Sequence, residues 1–212
     1  MIKVKFLSPS QIETYFQDDV NEQFLQGRLQ AYEKNRSSIP FYVEEVNGSY
    51  FLYNGFKFMD AMKRSEQNKP IPCYVLTKKR SELKRLLHLL WQGTHCEATN
   101  WKFKYKLIKQ LTEKFQLTPS EIAAFLQINE REISVYLVEE HVPDYFKKKA
   151  IQTHTTQLVN RISSIGVIPE SHKKELYQLA VDQQLTHKQL NWTLSFYYTN
   201  FYGAYSNPPT TI

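Results

Sequence analysis

The sequence predicts a small α+β domain followed by an all-α domain. Three observations carry this. Alternating and aromatic runs, the mark of half-buried strands, are confined to residues 1–77. From Lys78 onward, apolar residues recur at helical spacing instead. Between two aromatic or β-branched runs lies Asn47-Gly48-Ser49, a hairpin signal.

The elements follow in order. Ile2-Lys3-Val4-Lys5-Phe6-Leu7 alternates as a half-buried strand does, and Ser8-Pro9-Ser10 breaks it. Residues 11–32 read as helical with an interruption near Gly27. Residues 41–46 and 50–53 are the strands flanking the Asn-Gly turn. Gly55 then precedes a helix over 56–64, and residues 71–76 form a further strand. Leu83, Leu86, Leu87, Leu90 and Trp91 mark the first helix of the second domain. Trp101, Tyr105, Ile108, Leu111 and Phe115 form the next apolar stripe, with Lys102, Lys106 and Lys109 off it. That lysine row is either a solvated face or a set of phosphate contacts. The domain limits are 1–77, 78–190 and an aromatic tail at 191–212, whose end from Asn207 is expected to be disordered.

Composition narrows the partners. A net charge of +6 favours an anionic partner without requiring one. Cys73 and Cys96 lack metal-ligand spacing, so both are expected to be free thiols. Residues 1–7 are too short and charged for a signal peptide, and no run approaches the roughly 18 apolar residues of a membrane span. The expected setting is cytoplasmic, on a nucleoid or plasmid.

The most informative stretch is LTPSEIAAFLQINEREISVYLV, residues 117–138. Thr118 precedes Pro119 and stands three residues before Glu121, which combines an N-cap, a proline at the first helical position and a capping-box acid. Ile122, Ala123, Phe125 and Leu126 supply an apolar face, and Gln127-Ile128-Asn129 is a short turn. Asn129 caps a second helix in which Ile133 and Leu137 face inward. Small Ala123 and the branched Ile128 suit a DNA-binding helix-turn-helix at about 118–138; an ordinary αα-hairpin is the alternative. The outward positions would be Glu130, Arg131, Ser134, Val135 and Tyr136. Arg131 suits a guanine edge, Ser134 a base or phosphate, and Val135 a thymine methyl. Glu130 and Glu132 oppose phosphate. Lys147, Lys148 and Lys149, after Pro143-Asp144, are further candidate phosphate contacts.

In order and spacing these parts resemble the ParB family of partition and nucleoid-associated DNA-binding proteins, over roughly residues 2–190. The resemblance lies in Leu7-Ser8-Pro9-Ser10, Ile39-Pro40-Phe41-Tyr42-Val43, the glycine before a helix at Gly55, and Ile71-Pro72-Cys73-Tyr74-Val75-Leu76. It continues through the helix over 101–115, Leu117-Thr118-Pro119-Ser120-Glu121-Ile122-Ala123 and Leu185-Thr186-His187-Lys188-Gln189-Leu190. It implies a ParB/sulfiredoxin-like first domain, a helix-turn-helix second domain and double-stranded DNA as the partner.

Clamp-forming members of that family bind cytidine triphosphate through a Gly-Glu-Arg-Arg-like turn, which maps onto Gly55-Phe56-Lys57-Phe58. The glycine is kept and the arginine pair is not. A triphosphate carries about three to four negative charges, and Lys57, with Lys63 or Arg64, poorly replaces a planar bidentate pair. The family's second nucleotide motif, a Glu-Asn-x-x-Arg-like stretch, falls near residues 94–100, where Glu97 and Asn100 are present and its arginine is not matched. The expectation is therefore no cofactor and no enzymatic activity. CTP with Mg²⁺ on Gly55, Lys57, Glu97 and Asn100, hydrolysed by a DNA clamp, is the alternative. Residues 53–58 hold no cysteine for sulfiredoxin chemistry, and Asp60 alone supplies no nuclease metal cluster. The role would be transcriptional regulation or segregation of a plasmid, phage or chromosome. A third reading makes residues 1–77 a protein-interaction adaptor. The aromatic tail either packs on the helical domain or forms a homodimer contact.

Overall fold

The structure, a computed structural model, describes residues 2–18, 20–35, 41–66, 68–76, 80–95 and 99–197. It is a mixed α/β chain in two compact units, Met1–Ile128 and Asn129–Ile212.

The first unit holds a five-stranded sheet: β1 (Ile2–Leu7), β2 (Ile12–Glu13), β3 (Phe41–Val46), β4 (Ser49–Leu52) and β5 (Ile71–Leu76), in the order β1-β5-β3-β4-β2. β1 runs antiparallel to β5, β5 parallel to β3, and β3 antiparallel to β4. Asn47 and Gly48 both take positive φ (52° and 87°), which gives the hairpin a twist matching its strands. Side chains alternate across the sheet. Leu7, Phe41, Val43, Leu52, Ile71, Cys73 and Val75 are buried on one face, beneath α1 (Glu22–Lys34) and α2 (Phe56–Arg64). Burial pushes the Cys73 thiol up to about 12.

The helix expected over residues 11–32 is not continuous. A capping box in which Gln11 accepts from Ser8 N–H (2.9 Å) closes a single 3-10 turn, and Ile12–Glu13 then pairs in parallel with Tyr50 and Phe51. The α-helix begins only after Asn21, whose side chain accepts from Phe24 N–H, and it runs through Gly27 without interruption.

On the opposite sheet face, α3 (Glu82–His95) brings Arg85 onto the ring of Phe51 at 4.4 Å. Its Nε donates to Glu44 Oε2 (3.2 Å), which also accepts from the Tyr53 hydroxyl (2.6 Å), while Glu44 Oε1 accepts from Arg80 N–H (2.7 Å). Glu44 and Arg85 are both buried. Burial, and next this hydrogen bond to Glu44, push the Tyr53 phenol well above its usual value. α4 (Trp101–Glu113) crosses α3 at Gly93, where an added Cβ would lie 2.8 Å from Phe103. Its buried face is Phe103, Leu107, Ile108 and Leu111, not the expected line through Trp101 and Tyr105. The helix is rotated because Phe103 joins the Phe16 and Phe56 rings (6.0 and 5.0 Å). α5 (Pro119–Leu126) completes the unit and packs on α3.

The second unit is helical: α6 (Glu130–Ser134), α7 (Asp144–Thr153), α8 (Thr156–Ser164), α9 (Glu170–Val181) and α10 (His187–Tyr197). α7 and α9 start alike, as Pro-Asp and Pro-Glu followed by a buried lysine one turn on. Lys147 Nζ donates to Glu140 O (2.6 Å) and Lys173 Nζ to Ser163 O (3.1 Å), so each lysine ties its helix to the segment before it. Among the described residues, no helix is long and apolar enough to cross a membrane.

Candidate nucleic-acid interface

The caps read from the sequence are formed. Thr118 Oγ1 accepts from Glu121 N–H (3.2 Å), and Glu121 Oε2 accepts from the Thr118 N–H and hydroxyl (2.8 Å each). Those bonds, the backbone one first, hold the Glu121 carboxyl below its usual value. Gln127 closes α5 in the left-handed region (φ 58°), and Ile128 N–H reaches back to Ala123 O (3.1 Å). Asn129 Oδ1 accepts from Arg131 N–H (2.8 Å), and Glu132 returns to Asn129 N–H (3.4 Å). Glu132 is thus engaged in a cap. Both acids expected to oppose phosphate, Glu130 and Glu132, are exposed.

α6 is shorter than the sequence suggests. It ends at Ser134, so Val135 and Tyr136 lie past the regular helix, and Leu137 is 36% exposed rather than inward. The cause is tertiary. Thr156 Oγ1 donates to Val135 O (2.7 Å) and Asn160 Nδ2 to Leu137 O (2.7 Å), while Asn160 Oδ1 accepts from Glu139 N–H (3.0 Å). These bonds take carbonyls that a longer helix would use internally. Tyr136 is half-buried, and its phenol is pushed up by burial and then by Glu132.

A cleft of about 490 Å³ opens here, lined by Glu130, Arg131, Ser134, Val135, His154, Thr156 and Gln157. It gathers four of the five positions read from the sequence and adds three that were missed. His154 closes α7 in the left-handed region (φ 57°), and Thr156 and Gln157 form the first turn of α8. Arg131 is exposed at its rim. Ser134 Oγ donates to Glu130 O (3.1 Å) and keeps acceptor capacity toward the cleft.

The lysines divide. Lys147 is only 6% exposed, and its ammonium is engaged by Glu140 O and by Asp144 at 3.7 Å, which removes it from the expected phosphate contacts. Lys148 and Lys149 are exposed on the same helix. On α4, Lys106 is exposed, Lys102 lies 5.8 Å over the Trp101 ring, and Lys109 is 3.8 Å from Glu113.

The Gly55 turn is packed. Gly55 caps α2 at φ 74°, and a Cβ there would meet Phe41 at 2.8 Å. Phe56, Met59 and Met62 are buried, while Lys57 is exposed. Arg64 donates to the carbonyls of Asp18 (2.9 Å) and Val20 (3.2 Å). Burial lowers the pKa of Lys63. Asn100 Oδ1 caps α4 by accepting from Phe103 N–H (2.9 Å), and its Nδ2 donates to Gln17 O and to Asp18 Oδ1 (3.1 Å). Its amide is thus engaged in the fold. Glu97 lies outside the described residues. Among the described residues, no three His, Cys, Asp or Glu side chains are grouped to hold a metal ion.

No protein-family model matches this chain, and no curated protein matches it. Two solved structures of the C-terminally truncated chromosome-partitioning protein ParB from Caulobacter crescentus are similar to it at 15% identity. One, complexed to the centromeric parS site, is matched over 91% of this chain and 99% of that one with a TM-score of 0.42. The other, complexed with CTP-gamma-S, is matched over 82% and 98% with a TM-score of 0.34. Likeness at this level leaves the function to the chemistry of the site itself.

Proposed function

We propose that the chain binds double-stranded DNA in a sequence-dependent way through α6 and the first turn of α8. The observation that carries this is the exposed Arg131 on a capped short helix, at the rim of an open cleft shared with Ser134 and Gln157. Arginine donates to a guanine edge, and an amide such as Gln157 matches adenine. Lys148 and Lys149 are the phosphate contacts, in keeping with the net charge of +6. The role is segregation of a plasmid, phage or chromosome, or regulation of transcription.

Selection from randomised duplexes tests this. The full chain is expected to enrich a discrete sequence, with binding that weakens steeply as salt rises. Arg131→Ala is expected to weaken binding to that sequence by about 1–3 kcal/mol and to relax the preference at one guanine. Lys148→Ala should instead weaken all sequences alike and lower the salt slope by about one. If no duplex is enriched or retained at low salt, the proposal fails.

We further propose that the Gly55 turn serves as structure and holds no nucleotide. What supports this is the Phe41 ring beneath it and the engagement of Asn100 and Arg64 within the fold. Calorimetry with millimolar CTP and Mg²⁺, with and without DNA, is expected to show no binding heat. A saturable isotherm that Lys57→Ala abolishes would restore the clamp reading.

A further inference from the structure

β1 is an edge strand, and the sheet face beside it is open. On that face Val4 is 57% exposed, Phe6 71% and Tyr74 38%. Register places Val4 opposite Tyr74 and Phe6 opposite Pro72, while Tyr42 stacks on Tyr74 at 5.2 Å. These side chains form one apolar surface running to the rim of the sheet. Among the described residues, no strand pairs with the outer side of β1.

On the other face of the same strand stand Lys3 and Lys5. Lys5 Nζ donates to Glu45 Oε2 (2.9 Å) and to the Tyr50 hydroxyl (2.8 Å), while Lys3 is exposed. An open edge strand with this alternation is a template for β-strand addition. The lysines decide what adds. A second copy pairing about Val4 in antiparallel register would set Lys3 against Lys5 of its partner, and like charges directly opposite are destabilising. An incoming strand with acidic residues opposite the lysines, and apolar ones opposite Val4 and Phe6, satisfies both faces.

We propose that β1 is a docking edge for an extended segment of a partner protein in which acidic and apolar side chains alternate. Main-chain hydrogen bonds supply the affinity, and the sign of the alternate side chains supplies the selectivity. This is independent of the DNA-binding reading, because it uses only the edge of the sheet.

The test uses the full chain and two labelled synthetic peptides, acetyl-SEVEFEVES and its lysine counterpart acetyl-SKVKFKVKS, followed by fluorescence anisotropy. The acidic peptide is expected to saturate and to bind at least about tenfold more tightly than the basic one. Phe6→Glu should weaken the acidic peptide by about tenfold, and Lys3→Glu should invert the preference between the two. Both positions are exposed, and far-UV circular dichroism confirms that the variants fold. N-methylation of one set of alternate amides in the acidic peptide should abolish binding, and methylation of the other set should spare it. The proposal is overturned if neither peptide binds, if both bind alike, or if both methylated forms retain binding. A dimer of the chain that Phe6→Glu dissolves would assign the edge to a second copy and overturn it equally.

Discussion

Arg85→Met is expected to cost about 3–5 kcal/mol of stability, the usual penalty for breaking a buried ion pair from one side. The guanidinium and the Glu44 carboxylate are almost wholly inaccessible to water. Without Arg85 the carboxylate keeps the Tyr53 hydroxyl and the Arg80 N–H but loses its buried cation. A single hydrogen bond contributes only about 1 kcal/mol net, so these two do not offset the loss. Urea denaturation followed by circular dichroism reads the effect as a lower midpoint at unchanged slope. The double variant Glu44→Gln/Arg85→Met should recover much of the loss, because it removes the buried charge together with its partner. A loss below about 1 kcal/mol for the single variant would show that the pair does not hold α3 on the sheet.

Gly55→Ala is the second large effect, and two costs add in it. A left-handed residue with a Cβ costs about 1–2 kcal/mol. The new methyl group also meets the Phe41 ring at 2.8 Å. That ring is fully buried, so it cannot swing away, and overpacking of this kind costs about 1–3 kcal/mol more. The expected total is about 2–5 kcal/mol. Gly48→Ala is the internal control: its φ is 87°, but nothing lies within 4 Å of the added carbon. It should cost only the backbone share, about 1–2 kcal/mol. The difference between the two variants, measured by thermal or urea unfolding, isolates the Phe41 contact. Equal losses would mean that the ring yields.

What was legible in the sequence was local. The Asn47-Gly48 hairpin, the start of α2 after Gly55 and the Thr118–Glu121 capping box all depend on residues within four positions of each other, and each formed as read. What was missed depends on partners far along the chain. Nothing near Gln11 shows that Ile12 pairs with Tyr50 instead of continuing a helix. Nothing near Ser134 shows that Thr156 and Asn160 will take the carbonyls of Val135 and Leu137. Glu44 and Glu45 look alike in sequence, yet one lies buried against Arg85 and the other meets Lys5 at the surface. The candidate site shows the same division. Arg131 and Ser134 were readable from the capped helix, while His154, Thr156 and Gln157 reach the cleft only through the packing of α7 and α8.

The early end of α6 bears on how such a site can be engineered. The backbone at Val135 and Leu137 is held by Thr156 and Asn160, so the pose of Arg131 belongs to the whole stretch from 129 to 160. Residues 130–136 are therefore not a portable cassette. Grafted alone into another scaffold, they would lose the hydroxyl and amide that stop the helix and would wind on past Ser134. Altered specificity of the proposed duplex contacts is better sought by varying Arg131, Ser134 and Gln157 together in place, with Thr156 and Asn160 left untouched.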